Sequence, residues 1–155
     1  MRKKSIFILS ILLLVSFMFI GCGNSNDAQS LTEKNNTSES STNKTYKLKF
    51  GELLESNTND NTLVVKAKIS PSFSNKTTID QNGYNVEDII LNQGGDSFDE
   101  IQYWAVADMN DGSEGKVISF TLNKDQINSI KNKQLVGNKI VENASDVWIL
   151  PSLLE

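Results

Sequence analysis

The sequence predicts an α+β fold: a single small domain with a mainly antiparallel sheet and two helices on one face, in the order ββα-ββα-β. Three observations predict it. Short segments with period-two hydrophobicity recur from Tyr46 onward, two segments with helical spacing carry start and stop residues, and turn-forming clusters separate them. The stretch 46–155 is about 110 residues, enough for one hydrophobic core.

Taken in order, Tyr46, Leu48 and Phe50 alternate with Lys47 and Lys49, which predicts a half-buried strand. Leu63, Val65, Ala67 and Ile69 alternate with Val64, Lys66 and Lys68 and predict its partner. The polar run from Ser56 to Asn61 supplies a turn between them, and Pro71 closes the second strand. Asn85 is a suitable N-cap for a helix over 86–93, with Gly94-Gly95 as its stop. An earlier start near Ile79 has to accommodate Gly83. The segment 101–108 is apolar on both faces, as a central strand would be, with Ile101, Tyr103, Ala105 and Ala107 on one side and Trp104 and Val106 on the other. Asn110-Asp111-Gly112 reads as a turn into a returning strand over 116–122. Asn123 caps a second helix over 124–132, with Gln126 at the capping-box position. A last short strand over 147–150 stops at Pro151. The two ββα halves are similar in length without clear residue identity, which leaves an internal duplication open.

The N-terminus reads as an address. Met1-Arg2-Lys3-Lys4 is positively charged, and Ser5 to Ile20 is a nearly unbroken apolar run. Sixteen residues of helix reach about 24 Å, short of a hydrocarbon core about 30 Å thick. Charge, a short apolar run and small residues after it are the marks of an export signal. Phe19-Ile20-Gly21-Cys22 resembles the lipobox of bacterial lipoprotein signal peptides, with Phe19 where that family usually has Leu. The resemblance covers residues 1–22. It implies cleavage between Gly21 and Cys22, a diacylglyceryl group on the Cys22 sulfur, and attachment to the outer face of the cell membrane. Residues 1–21 are then the signal peptide. Residues 22–45, rich in Asn, Ser and Thr, form a polar tether that is too poor in apolar groups to fold, with an r.m.s. span of about 25 Å.

Composition narrows the chemistry. The chain has no His and one Cys, which excludes an internal disulfide, Cys/His metal sites and His-dependent nucleophilic catalysis. After loss of residues 1–21 the chain has 12 Lys and no Arg against 19 acidic residues, hence a net charge of −7. Such a balance disfavours nucleic acid as a partner. Lys in place of Arg and abundant Asn fit the AT-rich genome of a low-GC Gram-positive bacterium.

Four groups of residues are site candidates. Lys47, Lys49, Lys66 and Lys68 are expected on one face of the first hairpin, where they would either meet an anionic partner or guard an edge against aggregation. Asp108, Asn110, Asp111 and Glu114 form a calcium-like loop, although Gly112 falls at the fifth position and not the sixth of the EF-hand pattern. Asp96, Asp99 and Glu100 lie at the other end of the same strand, about 25 Å away for eight residues, so the two clusters cannot form one site. Carboxylates are plentiful enough for glycosidase-like chemistry, but no pair is singled out. Among the aromatics, Tyr103 and Trp104 must face opposite ways, so at least one belongs to the core, while Trp148 and the loop residues Phe73 and Tyr84 have either role open. These observations point to a surface-tethered binding module for an envelope protein or polymer that needs no cofactor. The alternatives are a carboxylate-dependent hydrolase and a calcium-dependent adhesion or sensor domain.

Overall fold

The computed structural model describes residues 44–155. Five strands form one sheet in the order β1-β2-β3-β4-β5. They are β1 (Glu52–Asn59), β2 (Thr62–Lys68), β3 (Glu100–Asp108), β4 (Glu114–Asn123) and β5 (Ser145–Ile149). Neighbours pair antiparallel except β2 and β3, which run parallel. That parallel pair requires a crossover, and the long helix α1 (Asn75–Asn92) provides it. Helices α2 (Lys124–Lys131) and α3 (Gly137–Asn143) lie between β4 and β5 in the chain. The element order is therefore ββα-ββαα-β, α+β as expected but with one helix more.

The core follows from strand alternation. Leu63, Val65 and Ala67 of β2, Ile101, Tyr103 and Ala105 of β3, and Ile118, Phe120 and Leu122 of β4 point to one side of the sheet and are fully or almost fully buried. They pack against Val86, Ile89 and Ile90 of α1, Ile127 and Ile130 of α2, and Ile140 and Val141 of α3. Burying each such side chain contributes about 1.5–3 kcal/mol, and Tyr103 stacks on Phe120 with ring centroids 5.2 Å apart. All three described helices cover this one face. Among the described residues no helix lies on the opposite face of the sheet.

Four expectations need correction. First, the segment from Tyr46 to Phe50 is not a strand. Tyr46 does turn inward, at 2% exposure, but the backbone pairs with side chains of α1 in place of the sheet. Asn85 accepts from the Phe50 N–H at 2.9 Å and donates to the Phe50 carbonyl at 2.8 Å. Gln93 does the same with Lys47, both bonds being 2.8 Å. Two side-chain amides thus act as peptide groups and dock this segment onto the helix. Second, β1 occupies the stretch read as a turn. It is an edge strand with one paired neighbour, so it needs few apolar residues, and the turn shrinks to Asp60-Asn61, with Asp60 in the left-handed region at φ 51°.

Third, α1 starts ten residues earlier than Asn85, with the Ser74 hydroxyl accepting from the Thr77 N–H. Asn85 lies inside the helix and is fully buried. Gly83 is tolerated because α3 comes so close there that a Cβ would overlap the Gly137 carbonyl oxygen. Fourth, α3 carries no side-chain N-cap bond and begins with Gly137, so no start signal marks it. The second strand, the central strand and its return agree with the sequence reading, as does the capping box of Asn123 and Gln126.

Candidate binding face

The uncovered side of the sheet carries the residues that alternate with the core. In its middle row, Lys66 of β2 lies beside Trp104 of β3, Trp104 is opposite Ser119 of β4, and Ser119 is opposite Trp148 of β5. Trp104 is 48% exposed and Trp148 is 39% exposed, whereas Tyr103, the neighbour of Trp104 in the chain, is at 0%. The small Ser119 leaves the floor between the indoles open. Two strand spacings set the tryptophans about 10 Å apart. They are the only tryptophans in the chain.

A β-bulge completes this arrangement. Register shifts between Ala105 and Val106, so that Ala105 pairs with Ile118 but Val106 pairs with Lys116. Val117 and Ile118 are therefore both buried, and exposed Lys116 emerges on the open side. Its ammonium is 4.4 Å from the ring centroid of Trp148 and 6.0 Å from that of Trp104, within cation–π range of both. The charge thus stands between two aromatic surfaces. Sequence reasoning missed Lys116 because regular alternation does not reveal a bulge.

The four lysines expected on one face are not brought together. Lys66 and Lys68 project from the open side of β2, but Lys47 and Lys49 belong to the docked segment, and Lys49 forms an ion pair with Asp88 of α1 at 3.2 Å. Lys68 is held between Asp108 at 2.9 Å and Glu114 at 2.7 Å, and these hydrogen bonds raise its pKa above the ordinary lysine value. The calcium-like loop is occupied in the same way. Asp108 and Glu114 face the Lys68 ammonium, while Asp111 accepts from the Ser113 N–H at 2.9 Å and from its hydroxyl at 2.6 Å, bonds that lower the Asp111 pKa. Asn110 lies in the turn beside them. Among the described residues no three acidic side chains converge as a metal site.

The acids at the opposite end of β3 are also engaged. Asp96 pairs with Lys131 at 2.8 Å, a bond that depresses its pKa, and Asp99 takes hydrogen bonds from Asn61 and Lys124 that lower its own. Phe73 is almost entirely exposed, and Tyr84 lies on α1 against Gly137 and not in a loop. Gly21 and Cys22 lie outside the described residues.

No known family matches this sequence, and neither does any curated protein or solved structure. The functional reading therefore rests on the residues themselves.

Proposed function

We propose that this chain is a lipid-anchored extracytoplasmic binding module. In this reading Cys22 becomes the mature N-terminus after cleavage behind Gly21 and carries the lipid, residues 22–45 act as a tether, and the folded domain docks an envelope partner through the open face of its sheet. Two acyl chains on one cysteine hold a protein stably at a bilayer, where one chain alone does not. The observation that carries the docking role is the presence of both tryptophans, half exposed, on the one sheet face that none of the described helices covers. Exposed tryptophan concentrates binding energy at interfaces, and here it lies on a rigid strand scaffold. Recognition fits better than catalysis because the clustered carboxylates are bound to lysines or to the backbone, as described above.

The reading has two separable tests. A labelled fatty acid should be incorporated into the wild-type chain and not into Cys22→Ala, and the variant should leave the membrane fraction or remain an uncleaved precursor. Equal labelling and fractionation of both forms would remove the anchor. For docking, the full chain should co-sediment with isolated envelope material. Trp104→Ala with Trp148→Ala should reduce that binding by about tenfold or more, while a change at exposed Lys139 on the helical side should leave it intact. Binding that ignores the tryptophans would defeat the assignment of the face.

A further inference from the structure

We infer that the partner of the open face is an acidic glycan, a chain of sugar rings bearing carboxylate groups, and this inference rests on that face being the docking surface. Three features of the face select this chemistry. The indoles of Trp104 and Trp148 offer flat apolar surfaces about 10 Å apart, suited to the apolar C–H faces of two sugar rings with one ring's length between them. Between them Ser119 presents a hydroxyl, and Thr121, two residues along β4 in the next row, presents another; these match the hydroxyl groups that any sugar exposes beside its apolar face. Lys116 stands at the same place with its ammonium flanked by both rings.

Charge distinguishes this site from the rest of the surface. Lys68 is already neutralised by Asp108 and Glu114, and Lys66 has Glu55 opposite it in the β1–β2 register, whereas no described carboxylate forms an ion pair with Lys116. The domain as a whole is acidic, but exposed charges more than about 8–10 Å apart are largely screened at physiological salt, so Lys116 governs contact at the indoles. A carboxylate on the Lys116 ammonium would lie over ring surfaces that exclude water and strengthen the pair. Two half-exposed indoles held on one sheet face favour a glycan over an acidic peptide, because they stack on sugar rings, whereas a peptide needs pockets for its alternate side chains.

The site contains its own reporter, since all tryptophan emission of the chain comes from it. The full chain in mild detergent is titrated with polygalacturonate fragments, with a neutral glucan of equal length and with polyglutamate of equal charge. Polygalacturonate should change the emission saturably, and Lys116→Gln, which keeps both tryptophans, should weaken that binding by about tenfold or more. Lys133→Gln, an equal loss of charge elsewhere on the surface, should change it by less than about twofold. Circular dichroism confirms that both variants are folded. Equal binding of polyglutamate would identify an acidic peptide site and overturn the proposal, and equal binding of the neutral glucan or insensitivity to Lys116→Gln would overturn it too. If no probe binds while envelope sedimentation still depends on Trp104 and Trp148, the glycan falls and the docking face stands. If sedimentation is also indifferent to the tryptophans, both fall.

Discussion

Replacing Asn85 with Ala tests how the first described segment is held to the domain. Asn85 is fully buried and makes three hydrogen bonds, two to the Phe50 backbone and one from its Nδ2 to the Tyr103 hydroxyl at 3.1 Å. Alanine leaves the Phe50 N–H and carbonyl without partners in a partly buried setting and removes a donor from a fully buried phenol. An unsatisfied buried group costs about 1–3 kcal/mol. Tyr103 Oη loses only one accepted bond and Phe50 is partly reached by water, so the total should be about 2–4 kcal/mol, against about 5–15 kcal/mol for a whole domain. For a domain of this length that corresponds to a fall in Tm of roughly 8–20 °C. Urea titration followed by far-UV circular dichroism should show the midpoint shifting with little change in slope. Hydrogen exchange at the Phe50 amide should accelerate at the same time. Asn85→Asp preserves shape but buries a carboxylate and loses both Nδ2 donors, so it should be worse than Ala near neutral pH. Its penalty should shrink as pH falls, because burial raises the pKa of the new acid and protonation removes the charge. A loss below about 1 kcal/mol for Asn85→Ala, or an unchanged Phe50 exchange rate, would refute the docking of this segment through the helix amide.

Two further perturbations follow from the same packing. Gly83→Ala should destabilise by about 1–3 kcal/mol or more, since the added methyl meets the backbone carbonyl of Gly137 and α3 must move away; an unchanged melting temperature would contradict the close approach of the helices. Burial pushes the Asp88 carboxyl up, but hydrogen bonds from Asn92, Lys49 and Gln93 outweigh it and leave its pKa below the ordinary aspartate value. A depressed folded pKa stabilises the fold above the unfolded pKa, and that contribution is lost as pH falls through the folded value. Asp88→Asn should therefore flatten the acid side of the stability profile, and urea midpoints measured between neutral pH and about pH 2.5 would contradict this if both proteins lost stability in parallel.

The parts of the fold that were legible are those where burial and polarity alternate without competition. In β2, β3 and β4 one parity faces the helices, so hydrophobicity has period two, and α2 has an N-cap followed by its capping-box partner. The parts that were not legible are those where another interaction replaced the expected one. Tyr46 to Phe50 has a strand's alternation because its apolar residues do face the core, but its backbone is satisfied by Asn85 and Gln93. β1 has no such pattern because an edge strand has only one neighbour and little to bury. Asn85 resembles a cap because the amide that serves a helix start also serves a buried backbone, and only tertiary packing decides between them.

The candidate site divides along the same line. That Tyr103 and Trp104 lie on opposite faces follows from strand geometry alone, but which of the two enters the core depends on where α1 crosses. The crossover puts Tyr103 under Asn85 and leaves Trp104 outside. Trp148 joins it because β5 adds to the sheet next to β4 with Ser119 between the two indoles; the short strand was readable over 147–150, but its neighbour and register were not. Lys116 depends on the bulge: without the shift between Ala105 and Val106, Val117 and Ile118 could not both be buried, and the lysine would lose its place opposite Val106. Deleting Val117 removes the extra residue but keeps Ile118 opposite Ala105 and Lys116 opposite Val106, so Lys116 should stay on the open side and binding at this face should persist if the sheet still forms. Loss of binding by a folded deletion variant would refute this account of how the bulge places the lysine.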